Sequence, residues 1–194
     1  MNFRKLLPWI VGIGLVLIIA FWVIGIKNSG LQMNQAVNKE WGNVQTTYQR
    51  RNDLIGNLVN TVKGAADFEK STLTAVIEAL AKATSITIDP TNVTPQQLAA
   101  FNSAQSGVSS SLSKLLVSVE RYPELKANEN FLKLQDELAS TENQILTART
   151  RFNEAVQGYN GYVLAIPQSW FLSYKEKPYF EAVQGADKPV EVKF

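Results

Sequence analysis

Residues 48–64 read YQRRNDLIGNLVNTVKG, and their spacing decides the fold class. Tyr48, Arg51, Ile55, Leu58 and Val62 recur by threes and fours, which places them on one face of a helix. The seam reaches back through Val44, Trp41 and Val37 and forward through Ala65, Glu69, Leu73, Val76, Leu80 and Ala83. One helix is therefore expected from about Asn34 to Thr84, with Gly56 and Gly64 as the sites of any bend, because glycine costs about 1 kcal/mol inside a helix. Within residues 48–64 every seam residue is apolar or aromatic except Arg51. A guanidinium directed at a packing partner has to snorkel or meet an acceptor, since an unpaired buried charge is prohibitive.

Two further seams follow. SITIDPTNVTPQQ reads as a loop ending in a helix start, with Thr94 as N-cap, Pro95 in the first turn and Gln97 closing a capping box. Leu98, Phe101, Gln105, Val108, Leu112, Leu115, Val119 and Tyr122 form the second seam. It stops near Arg121, because Pro123 disfavours helical geometry in the residue before it. Phe131, Leu134, Leu138, Thr141, Ile145, Ala148, Phe152, Ala155 and Tyr159 form the third, closed by Pro167. Long amphipathic helices with short connections fold back as an all-α, antiparallel, up-and-down bundle. The tail carries Trp170, Phe171, Tyr174, Tyr179 and Phe180, an aromatic density that suits packing along the bundle. Residues from Gly185 onward read as frayed.

Leu6 to Ile26 is an uncharged apolar run long enough as a helix to span a hydrocarbon core of roughly 30 Å. Trp9 and Trp22 lie toward its ends, where indole rings favour the membrane interface. The run exceeds the h-region of a cleaved signal peptide and lacks a small-residue cleavage site, so it reads as a retained single-pass anchor. Residues 1–27 are expected to form this anchor, 28–184 the bundle and 185–194 a tail. Arg4, Lys5 and the amino terminus outweigh Lys27 on the far side, which favours a cytoplasmic N-terminus and a bundle outside the cytoplasm.

The chain holds 19 Lys and Arg against 17 Asp and Glu, and no Cys or His. Without the three cations that flank the apolar run the rest is nearly neutral, which argues against a nucleic-acid surface. The missing Cys and His remove thiol nucleophiles, disulfides, Ser-His-Asp triads, Cys/His zinc sites and Glu-x-x-His di-iron ligands. No cofactor, metal or catalytic residue is expected.

The remaining polar seam groups suggest architecture. Glu142, Glu120 and Glu69 are candidate partners for Arg51, and such a pair fixes register among seams that would otherwise slide. The alternative is a polar groove for a protein partner, lined by Arg50, Arg51, Asp53, Glu120, Glu142, Arg149, Asn153 and Asn160. Asn153 and Asn160 share a helix face seven residues apart beside Phe152, Val156, Tyr159 and Val163. That stripe reads as core with helix-to-helix hydrogen bonds.

In this order, the N-terminal membrane helix, YQRRNDLIGNLVNTVKG, VERYPELKANENFLKLQDELASTENQILTARTRFNEAVQGYN and KPYFEA resemble the LemA family of bacterial membrane proteins over nearly the whole chain. The resemblance implies a membrane-anchored antiparallel bundle of four helices. The seams account for three, so the fourth has to come from a break near Gly64 or from the aromatic tail. The family's marked positions fall on Arg50, Arg51, Asp53, Leu54, Leu58 and Val59, then on Tyr122, Pro123, Leu125, Asn130, Phe131, Leu134, Leu138 and Glu142, and on Arg149, Asn153, Tyr159, Asn160, Pro178, Tyr179 and Phe180. Ala65 and Ala66 stand where many relatives carry bulkier residues. The resemblance implies no catalytic residue. It points to a scaffold or adaptor of the bacterial inner membrane and envelope, with a membrane metalloprotease or an envelope regulator as the partner class. Two other readings compete. Gly12, Gly14 and Gly25 offer small-residue faces for a homo-oligomer. A carboxylate-dependent hydrolase would need Glu120 and Glu142 about 6.5–9.5 Å apart in a cleft.

Overall fold

The computed structural model describes residues 3–65 and 68–181, with side chains from Leu7 onward; Ala66 and the tail from Gly185 lie outside the described residues. All regular structure among them is helical. The helices are α1 (Phe3–Lys63), α2 (Lys70–Thr84), α3 (Pro95–Val119), α4 (Pro123–Lys126), α5 (Glu129–Val163) and α6 (Gln168–Phe171). α1 packs lengthwise against α5, and α2 against α3.

The single helix expected over 34–84 is two helices. α1 closes at Lys63, where the Gly64 and Ala65 amides bond back to the Asn60 and Val62 carbonyls at 3.3 and 3.1 Å. Phe68 is then buried against the Tyr122 ring at 4.8 Å, so the chain turns around an aromatic contact. Gly56, by contrast, lies inside α1. α1 passes through Lys27, Asn28, Ser29 and Gly30 without interruption, so one helix carries both the apolar run and the first stretch of the bundle. Its 61 residues span about 90 Å at 1.5 Å each. Gly30 has a packing role: a Cβ there would meet Tyr174 at 3.0 Å and Leu172 at 3.3 Å. Among the described residues α1 is the one helix long and apolar enough to cross a membrane.

α3 begins as expected. The Thr94 side chain accepts from the Gln97 amide and Gln97 returns a bond to the Thr94 amide, completing a capping box. Thr94→Ala is expected to cost about 1 kcal/mol, read as a lower midpoint in urea with unchanged slope. The seam of α3 is buried from Leu98 to Val119. On α5 the buried face moves from Ala155 to Val156, Asn160 and Val163, because a straight α-helix drifts about 20° per heptad against a strict seven-residue repeat.

The core has two parts. The membrane-proximal cluster joins Val37, Trp41, Val44 and Tyr48 of α1 to Leu98, Phe101, Ile145, Phe152 and Val156, with Phe180. The distal cluster joins Leu54, Ile55, Leu58 and Val62 to α2, to Ala104–Val119 of α3, and to Phe131 and Leu138. α2 supplies the fourth element of the distal half. The chain beyond α6, which leaves the helix with Leu172 extended and has no regular structure over 172–181, supplies it in the proximal half. Both proposed sources of a fourth element are thus used, at opposite ends.

Candidate functional site

Arg51 lies between the two clusters. It follows Tyr48 of the proximal core and precedes Leu54 and Ile55 of the distal one, and it is 2% exposed. Its Nη1 donates to Glu142 Oε1 at 3.1 Å and to Ser109 Oγ at 3.3 Å, and its Nη2 donates to Gln105 Oε1. Its Cζ sits 4.9 Å from the Tyr48 ring centroid. Buried Thr141 completes this layer, its hydroxyl donating to the Glu137 carbonyl at 2.7 Å. One guanidinium thereby ties α1 to α3 and α5 at one height. Burial pushes the Tyr48 phenol up, against the pull of Arg149 and Arg51, so the ring presents a neutral face to the cation.

The other named carboxylates stand elsewhere. Glu69 pairs with Arg121 at 3.3 Å on the surface. Glu120 is the exposed C-cap of α3. Ser109 shares the Arg51 Nη1 with Glu142, and Glu120 lies eleven residues farther along α3, about 16 Å at the helical rise. The structure does not bring Glu120 and Glu142 together as an acid-base pair. Asp53 is exposed and accepts from Gln49 at 2.9 Å, so it is outside the layer. Arg50, 4.0 Å from Glu137, lines an open groove of about 580 Å³ between α1 and α5 with Asn43, Asn143, Gln144 and Arg151. The eight residues of the expected polar layer or partner groove therefore occupy five separate settings, the fifth being that of Arg149, Asn153 and Asn160.

Arg149, Asn153 and Asn160 form the second constellation. Asn160 accepts from the Lys177 amide at 2.9 Å and donates to the Lys177 carbonyl at 2.8 Å. Asn153 does the same with Phe180, at 2.8 and 2.9 Å. Two side-chain amides thus mimic a neighbouring strand. The match is metrical: seven residues of helix rise about 10.5 Å, and three residues of extended chain about 10 Å. Arg149 donates to the Glu181 carbonyl at 2.9 Å and lies 4.8 Å from the Phe180 ring centroid. Phe180 stacks with Trp41 at 6.0 Å and meets Phe152 edge-on at 5.3 Å. Lys177 donates to the Pro90 carbonyl at 2.8 Å; burial pushes its ammonium pKa down, against the pull of Asp89.

The asparagine stripe, whose spacing predicts helix-to-helix bonds, makes none of its four amide bonds to a helix. Its partner is the backbone of the tail, because an extended segment has main-chain groups to satisfy that a helix does not. The seven-residue spacing was the available signal. Asn160→Ala leaves the Lys177 amide and carbonyl without their partner, and is expected to cost about 2–3 kcal/mol. Amide exchange at Lys177 should accelerate while that of Leu58, in the distal core, stays slow.

Comparison with known proteins places this architecture. The LemA family model matches residues 40–194. The chain belongs to the LemA family. A "Protein LemA" of Metamycoplasma hominis is 24% identical over 143 residues, covering 74% of this chain and 62% of that protein. The chain thus spans less than two thirds of that relative's length. Two proteins of Paramagnetospirillum magneticum, "Magnetosome protein MamQ 1" and "MamQ 2", are each 22% identical over 183 residues, covering 84% of this chain and 67% of theirs. The LemA match begins at Glu40 and takes in both the Arg51 layer and the asparagine clamp.

Proposed function

We propose that this LemA-family protein is a non-enzymatic, membrane-anchored scaffold of the bacterial envelope that holds a rigid helical rod on the outer side of the inner membrane. One observation carries the reading: the buried polar residues Arg51, Gln105, Thr141, Asn160 and Lys177 each bond to another residue of the bundle or its tail. Arg51 serves Glu142, Ser109 and Gln105, and Asn160 serves Lys177. They act in register and closure, leaving the outer faces of α1 and α5 for a partner. The names of the relatives are not enzyme names, and the magnetosome title of two of them suits a protein that works at a membrane. The unbroken α1 supports a rod coupled stiffly to its anchor.

The partner class is an envelope protein, such as a membrane metalloprotease or an envelope regulator. A photo-crosslinking residue placed at Asn143 or Arg151 in intact membranes should give a reproducible adduct with a second protein. Adducts of the chain with itself alone would favour the homo-oligomer instead. Gly12, Gly14 and Gly25 have open space around them, which gives that second reading room for a close helix approach.

A further inference from the structure

Beyond α1, the two most exposed large apolar side chains among the described residues, Ile166 and Trp170, lie just past the end of α5, with Leu164 and Phe171 beside them in sequence. Leu164 is 53% exposed, Ile166 72%, Trp170 72% and Phe171 36%, all on the turn after Val163 and on α6. Their location is fixed by contacts to α1. The Tyr162 hydroxyl donates to the Ile26 carbonyl at 3.2 Å, and the Phe171 ring meets Trp22 edge-on at 5.9 Å. Trp22 precedes Ile26 by four residues, about 6 Å along the helix. The chain therefore descends past the end of the bundle to the level of the apolar run of α1, then turns back through Leu172 toward Gly30. Between Glu154 and Lys175 the sequence carries no charge. Lys27 and Lys175, both exposed, flank this segment on the side toward the bundle.

We propose that the 164–171 turn is a second membrane contact, inserted into the interfacial layer of the bilayer beside the anchor. It rests on the reading of α1 as a membrane span. An apolar turn bearing an exposed tryptophan, with cations behind it, has the chemistry of an interfacial element: rings at headgroup depth and ammonium groups at phosphate level. A single span leaves a rod free to tilt; two attachment points at one end hold α1 and α5 in a fixed attitude. The outward-facing indole of Trp170 then has lipid as its partner.

The chain lacks cysteine, so single-cysteine variants of the full-length protein can carry a nitroxide in phosphatidylethanolamine–phosphatidylglycerol vesicles. Four variants decide: Val16→Cys in the span, Trp170→Cys and Leu164→Cys in the turn, and Leu146→Cys as an exposed apolar control higher on α5. Collision with oxygen should exceed collision with a water-soluble nickel chelate several-fold at 16, 164 and 170, with the order reversed at 146. Lipid-like values at 16 with water-like values at 164 and 170 would overturn the proposal and leave the anchor standing. Water-like values at 16 would overturn the anchor and this contact together. Lipid-like values at 146 would mean that the rod lies flat on the bilayer, which also contradicts it.

Discussion

Arg51→Ala is expected to lower stability by about 3 kcal/mol, at the bottom of the range for breaking a buried ion pair by removing one partner. The deleted side chain leaves buried Gln105 without the guanidinium that engages its Oε1, but Glu142 is 47% exposed at its side chain and can be rehydrated. Glu142→Ala tests the reverse and should cost at least as much, because the cation it strands is 2% exposed and has no water to return to. For a domain of this size about 3 kcal/mol corresponds to roughly 6–12 °C in Tm. Joint replacement of Arg51, Gln105 and Glu142 by leucine should recover most of that loss, since an apolar core often matches a buried ion pair in stability. It should also join the two apolar clusters and remove the buried polar layer that marks relative height in mid-bundle, visible as broadened or doubled amide resonances along α3. A sharp, single-state spectrum from the triple variant would show that the seams set the register unaided.

Phe180→Ala carries the second large effect. Phe180 is 4% exposed and its ring lies within 6.4 Å of those of Trp41, Phe101 and Phe152. Emptying that site is expected to cost about 3–5 kcal/mol. The loss should be regional. The proximal cluster would lose its fourth element, and residues 172–181 should become the first site of proteolysis, while the distal cluster, closed by α2, stays protected. Uniform loss of protection in both halves would mean that the two clusters fold as one unit and that the Arg51 layer is no boundary.

The helical seams were legible because burial on one face imposes a spacing of threes and fours that few sequences acquire otherwise. Val37 to Val62, Leu98 to Val119 and Phe131 to Ala148 all face the core. Arg51 stood out for the same reason, as the exception in a seam, and Glu142 was among its candidate partners. The path of the tail was not legible. Extended chain satisfied by side-chain amides has no period, and Asn153 and Asn160 announce only that something spaced about 10 Å apart lies opposite them. Continuity of α1 was hidden by Asn28, Ser29 and Gly30, a local stop signal overridden by the packing of Tyr174 and Leu172 against Gly30. The eight residues of the expected polar layer or groove were grouped by chemistry along the chain, whereas turn by turn they face different neighbours.

The most direct test of a tethered rod outside the cytoplasm is protease accessibility in intact spheroplasts, with lysed spheroplasts as the control and a probe to Glu124–Asn128 at the distal end of the bundle. The account predicts that the distal end is digested in intact spheroplasts while a fragment containing Leu7 to Ile26 stays with the membrane pellet through carbonate extraction. Protection that disappears on lysis, or release of the whole chain by carbonate, would contradict it.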